Sequence, residues 1–253
     1  MTEPAPTELP GPLLSRLAAC ARVVVLDQVG STNDYALGLR AAGEPAVVLA
    51  RHQTRGRGRF RRHWYSDDAS LCFSLLLCRD HPDFPGSLIT HIAGLAACRA
   101  LESTTGTKPL IRWPNDIMLG EKKIAGILCE ARGNGVAVGF GINVNQPSFP
   151  ENLPDATSLL MATGQTFDKL VLLEACVKET FAALDQAVKD QGAALLTQLK
   201  ERSAILHRRV EVKTLLRTHI GTCIDIDREG RLVLRTDSGK VLSLSAGDVR
   251  RLR

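Results

Sequence analysis

The stretch that leaves this chain the fewest structural choices runs from His52 to Ser66. Arg55, Arg57, Arg59, Arg61 and Arg62 fall within eight residues, Gly56 and Gly58 separate the first three, and Trp64 and Tyr65 close the run. Like charges that close together repel, and glycine admits backbone conformations closed to other residues, so neither a helix nor a strand suits the segment. Both flanks are apolar: Ala46 to Ala50 and Ser70 to Leu77 read as buried strands. The fold therefore has to carry a cationic loop pinned to a sheet at each end. Free of ligand such a loop is expected to be mobile, and an anion would order it. Guanidinium forks match phosphate and carboxylate, and glycine amides add donors. A solvated basic loop or a nucleic-acid patch is the other meaning of an arginine run.

The remaining chain sorts into elements around that loop. Residues 1–10 read as a disordered lead and Leu13 to Cys20 as a short helix. Val23 to Leu26 is a buried strand that meets Gly30, Ser31, Thr32, Asn33 and Asp34, followed by a helix that stops near Gly43. Those hydroxyls and amides either cap the helix or, with the free helix amides, hold a polar ligand. Residues 87–103 have helical spacing, and His91 within them reads as a satisfied histidine rather than a ligand. From Leu110 to Val144 short strands alternate with turns as an antiparallel meander, in which Gly139 and Gly141 either mark a structural bulge or leave room on one sheet face for something flat. Residues 145–157, with three prolines, read as a loop ordered on demand. Helices follow from Asp168 and after Gly192, the second reaching about Leu206. From Arg209 the texture changes to four or five short alternating strands, a small barrel-like domain. The expected division is 1–206 and 207–253.

Composition narrows the classes. A 44% hydrophobic content with mean hydropathy near zero describes an ordinary globular protein, and no apolar run approaches a membrane span. The net charge of +5 is concentrated in the loop and in Arg250, Arg251 and Arg253, which argues against a surface that tracks nucleic acid throughout. The N-terminus lacks the basic head and apolar core of a secretory signal, and seven scattered cysteines without a CxxC pair fit core thiols in a reducing cytoplasm.

Gly30-Ser31-Thr32-Asn33, Gln53, Gly56-Arg57-Gly58-Arg59 with Trp64, Arg112-Trp113-Pro114-Asn115-Asp116, Lys123-Ile124-Ala125-Gly126-Ile127 and Gly139-Phe140-Gly141-Ile142-Asn143, in this order over nearly the whole chain, together resemble the biotin protein ligase family. The resemblance implies an α+β fold: a central mixed sheet with flanking helices, of the class II synthetase-like biotin/lipoate ligase type, plus a C-terminal SH3-like barrel. It implies that biotin and ATP give biotinyl-5′-AMP and pyrophosphate, with Mg²⁺ accompanying the nucleotide, and that a lysine of a biotin carboxyl carrier protein takes the biotinyl group. Some relatives carry a DNA-binding module that represses biotin genes. With about 22 residues before the first strand, a ligase without repressor activity is expected here.

By the same resemblance, Lys123 stands between the biotin carboxylate and the α-phosphate, with Lys122 as its exposed neighbour, and Arg57 and Arg59 close over both anions while Gly58 lets the backbone approach. Ser31, Thr32, Asn33 and Gln53 bind the ureido ring and Gly126 belongs to the biotin site. Trp64 and Asn143 bound the adenine, and Asn115 and Asp116 lie near the phosphates. One departure stands out: Arg61 occupies the place of a third glycine in the family's usual Gly-Arg-Gly-Arg-x-Gly-Arg-x-Trp. A lipoate or octanoate ligase is the alternative enzyme, and a nucleic-acid-binding protein the alternative of another class. Sheet edges leave a homodimer open.

Overall fold

The computed structural model describes residues 9–78 and 86–252, so most of the expected disordered lead lies outside the described residues. The chain runs through α1 (Gly11–Ala18), β1 (Arg22–Val29), α2 (Thr32–Gly38), β2 (Ala46–Gln53), β3 (Ser70–Cys78), α3 (Ile89–Thr105), β4 (Leu110–Arg112), β5 (Asp116–Leu119), β6 (Lys122–Arg132) and β7 (Gly135–Asn143). Then come α4 (Leu159–Thr163), α5 (Lys169–Lys189) and α6 (Ala193–Glu201), and finally β8 (Arg209–Lys213), β9 (Thr218–Ile226), β10 (Leu232–Thr236), β11 (Val241–Leu244) and β12 (Asp248–Arg251). One expectation needs adjusting: α6 stops at Glu201 rather than near Leu206.

The first seven strands form one mixed sheet in the order β1-β2-β3-β7-β6-β5-β4, parallel only between β1 and β2. Alternation along the strands gives the sheet two different faces. Phe73, Val138, Phe140 and Ile142 point to one, where they pack with Ile92 and Leu95 of α3 and Leu173 and Val177 of α5; the Phe73 and Phe140 rings stack with centroids 4.6 Å apart. Val48, Leu76 and Ala137 point to the other face and meet Ala36 and Leu37 of the short α2, with Tyr35 and Leu39 packed at the edge of the cluster. Further along that second face the side chains shrink to Gly139, Gly141 and Gly126, so a trough opens beyond the end of α2.

The last five strands make an antiparallel SH3-like sheet in the order β11-β10-β9-β8-β12 around Val210, Val212, Cys223, Leu232 and Leu234. Trp113, from the β4–β5 turn, is buried in that same cluster. Its indole Nε1 and the Nε2 of His91 both donate to the Gly230 carbonyl, each at 2.9 Å, so two side chains of the larger domain grip one turn of the smaller. His91 is thus a structural histidine, satisfied at Nε2, which carries the proton, and not at the buried Nδ1, which has no partner among the described residues.

Burial pushes the His91 pKa down to about 4. An unfolded chain titrates near 6.5, so the stability held by the neutral ring is complete above about pH 6.5 and drains as pH falls toward 4, by roughly 3 kcal/mol in all. Urea unfolding between pH 7 and 4 is expected to show this loss in the wild type and a much smaller one in His91→Gln, which cannot titrate. Parallel curves for the two proteins would contradict the assignment.

Candidate active site

The trough widens into a cavity of about 350 Å³ bounded by the glycine face of the sheet, the start of α2, the arginine loop, residues 149–156 and the turn Gly247–Asp248 of the small domain. Every candidate named from the sequence lines it: Ser31, Thr32, Asn33, Gln53, Arg57, Gly58, Arg59, Trp64, Asn115, Asp116, Lys123, Gly126 and Asn143. Lys122 does not, and is exposed.

One end of the cavity is built for hydrogen bonding. Thr32 donates its backbone amide to Gln53 Oε1 at 2.9 Å, and its hydroxyl lies 3.2 Å from the same oxygen. Ser74, wholly buried on β3, lies 2.7 Å from the Thr32 hydroxyl and donates to Asn33 Oδ1 at 2.6 Å. Asn33 in turn donates to the Leu128 carbonyl at 3.1 Å and to Glu130 Oε2 at 2.8 Å, so its amide is already engaged on both sides. Ser31 holds the N-cap position of α2, yet its side chain makes no capping bond and faces the cavity. The polar turn therefore serves the cavity as well as the helix. A carbon on Gly139 would stand 2.5 Å from Asn33 Oδ1, which explains why the strand carries glycine there.

The other end is cationic. Lys123 Nζ lies 2.5 Å from Asp116 Oδ1 and Arg112 reaches Oδ2 at 2.9 Å. Burial works against the Asp116 charge, but Lys123 and Arg112 together hold its pKa below the usual carboxylate value. The backbone of Lys123 is strapped to the proline-rich loop: its amide donates to the Asp155 carbonyl at 2.7 Å and its carbonyl accepts from Thr157 at 2.9 Å. Asn115 donates to the Ile127 carbonyl and Asn143 to the Thr157 carbonyl, each at 2.9 Å, so both amides also brace the walls.

The arginine loop borders this cavity with Arg57, Arg59 and Arg62, while Arg55 and Arg61 are exposed. Arg57 clasps Asp34 with two hydrogen bonds, of 2.6 and 2.8 Å, and touches Glu130 at 3.3 Å, which raises its pKa and lowers that of Asp34. Arg57 is a tether in this conformation. Arg59 behaves differently: it is partly buried, makes no ion pair among the described residues, donates to the Gly247 carbonyl at 2.9 Å, and burial lowers its pKa. Arg59 is thus the loop's unneutralised cation at the cavity. Between Arg59 and the Arg62–Asp248 ion pair, Phe60 and Arg61 both adopt left-handed backbone, with φ of 55° and 58°. Glycine would sit there freely, whereas each side chain costs roughly 1 kcal/mol, and this is the physical meaning of Arg61 standing where the family motif has glycine. Trp64 then lays its indole in the trough, where a carbon on Gly141 would collide with the ring, and Lys123 Nζ lies 5.3 Å from the ring centroid.

Among the described residues no group of three or more His, Cys, Asp or Glu side chains could hold a metal, and the Asp116 carboxylate is taken up by two cations. Sequence reading missed Ser74, Glu130 and the Gly247–Asp248 turn. Glu130 could have been found from one signal, a charged residue at a site-face position of a strand whose middle is apolar. The turn left no such mark.

Residues 25–146 match the family model described as Biotin/lipoate A/B protein ligase family, and residues 205–251 match Biotin protein ligase C terminal domain. The biotin--[acetyl-CoA-carboxylase] ligase of Mycobacterium tuberculosis is 33% identical to this chain, over 90% of this chain and 88% of its own length. The bifunctional ligase/repressor BirA of Bacillus spizizenii is 34% identical, over 86% of this chain and 70% of its own. Among solved structures, the biotin protein ligase from Aquifex aeolicus in complex with biotin and ATP superposes with a TM-score of 0.80 at 28% identity, covering 91% of this chain and 99% of that one.

Proposed function

This chain belongs to the biotin protein ligase family, and from that premise we propose that it joins biotin to ATP as biotinyl-5′-AMP and then passes the biotinyl group to a lysine of a biotin carboxyl carrier domain. One observation carries the proposal: a single cavity has a hydrogen-bonding end at Ser31, Thr32 and Gln53 and a cationic end at Lys123, Arg112 and Arg59. A ligand that suits both is a polar ring bearing a carboxylate tail, next to a polyphosphate. The Aquifex relative was solved with biotin and ATP.

In the first step a carboxylate oxygen attacks the α-phosphorus, the bond to the bridging oxygen of the β-phosphate breaks, and pyrophosphate leaves. Two anions must approach, so the barrier is mainly one of placement and charge. Lys123 is suited to stand between them, because Asp116 already holds its ammonium at the cavity wall. Arg59 adds the second cation over the phosphates, and Trp64 and Asn143 bound the adenine. In the second step a neutral lysine amine attacks the acyl carbon, AMP departs and the amine loses a proton. Between the steps the mixed anhydride must be kept from water, a task for the arginine loop and the 145–157 loop. Mg²⁺ would screen the charge of the departing pyrophosphate. It would be held by nucleotide phosphates and water, since the wall provides no carboxylate cluster of its own among the described residues.

None of the seven cysteines is in a disulfide, and among the described residues no helix is long and apolar enough to cross a membrane; the cytoplasm is the proposed setting of this chemistry. Exchange of labelled pyrophosphate into ATP, dependent on biotin and not on lipoate, tests the reading. Equal exchange with lipoate would move the substrate assignment to the other branch of the family, and no exchange with either acid would end it.

A further inference from the structure

The arginine loop touches the small domain at one place only among the described contacts, and both contacts fall on consecutive residues. Arg59 donates to the carbonyl of Gly247, and Arg62 pairs with the carboxylate of Asp248. Phe60 and Arg61, the loop's two side-chain-bearing residues in left-handed backbone, lie between these anchors. Gly247 is itself packed so closely that an added carbon would stand 2.7 Å from Val212, so the turn can offer its carbonyl only because the residue is glycine. Asp248 starts β12, whose partner β8 holds it in register opposite Lys213. The strained turn of the loop is therefore clamped on both sides by a rigid strand end of the other domain.

We propose that Asp248 is a positioning residue for the loop: through Arg62 it holds the left-handed Phe60–Arg61 turn shut, seats Arg59 over the cavity, and so sets how long the acyl-adenylate is retained. The proposal rests on the ligase reading above and adds to it that the small domain controls escape of the intermediate. Asp248 acts through Arg62, with which it pairs at the rim of the cavity. The strain at Arg61 opens the loop and the pair with Asp248 closes it, so the two oppose each other.

The Arg62–Asp248 pair is partly exposed, with 66% of the arginine and 30% of the aspartate side chain accessible, so its effect is modest and sensitive to salt. In single-turnover experiments with the full chain, biotin and ATP, and no acceptor, loss of bound biotinyl-AMP into solution is expected to speed up roughly two- to fivefold in Asp248→Asn. The Arg62→Asp/Asp248→Arg exchange is expected to recover most of the retention. Adding Arg61→Gly to Asp248→Asn is expected to recover it too, by relieving the left-handed strain. Arg61→Ala in the same background is expected not to, although it removes the same charge. Unchanged retention in Asp248→Asn, or equal rescue by glycine and alanine, would overturn the proposal. Absence of any acyl-adenylate in the wild type would instead overturn the ligase reading, so the two failures are distinguishable.

Discussion

Replacing Lys123 by alanine is expected to lower biotin-dependent exchange between pyrophosphate and ATP by about 10³-fold while leaving biotin binding measurable. The ammonium sits 2.5 Å from Asp116 at the cationic end of the cavity, away from the hydrogen-bonding end that would recognise the ring. Its loss removes charge where two anions must meet and leaves the polar end intact. It also leaves Asp116 with Arg112 as its sole cation, so the local charge becomes more negative, which makes the approach of a carboxylate harder still. Lys123→Met is the companion variant, since it keeps an unbranched stem of nearly the same length and drops the charge. Calorimetric binding of biotin alongside the exchange rate separates the two effects. An exchange rate within tenfold of wild type would remove Lys123 from the mechanism.

Gly139→Ala is expected to act at the opposite end, raising the apparent KM for biotin by about 10²-fold with the KM for ATP little changed. The added methyl would stand 2.5 Å from Asn33 Oδ1, and Asn33 cannot retreat without giving up its bonds to Ser74, Leu128 and Glu130. The start of α2 would shift as a unit, carrying Ser31 and Thr32 away from the cavity. Cross-strand pairs keep the sheet in register on both sides of Gly139, at Ser74 and Leu128, so the backbone of the strand is not expected to yield. Steady-state kinetics in each substrate decide it. A matched rise in both KM values would mean that the whole cavity had deformed.

Much of this architecture was legible because it depends on local pattern. Apolar runs of four to eight residues gave β1, β2 and β3, and the glycine turns gave the β4–β7 meander. The period-two alternation of β7 alone puts Gly139, Gly141 and Asn143 on one face, and that face is the one that lines the cavity. The motif residues followed, since each lies at a strand end or a strand-to-helix turn where the period fixes its direction. What stayed hidden depends on contacts across long stretches of chain. Arg57 was expected over the anions, and nothing near it in sequence signals that Asp34 and Glu130 would hold it. Ser74 hid inside a run that reads as core, because a serine hydroxyl is small enough to pass there unnoticed until Thr32 and Asn33 are seen above it. Arg61 was recognisable as a departure from the motif, but its left-handed backbone, and hence what the departure costs, became visible only in three dimensions. Nor could the arginine loop have been linked to Gly247 and Asp248, which lie 188 and 186 residues further along than Arg59 and Arg62.

The chain has two tryptophans, and their situations could hardly differ more. Trp113 is sealed in the core of the small domain with its indole nitrogen bonded to Gly230, whereas Trp64 rests in the glycine trough with its nitrogen lacking a partner among the described residues. Of the two emitters, one is a constant and the other a gauge. A change in intrinsic fluorescence when the cavity fills would report the movement of Trp64 over the steady emission of Trp113, and Trp64→Phe would leave that steady emission alone.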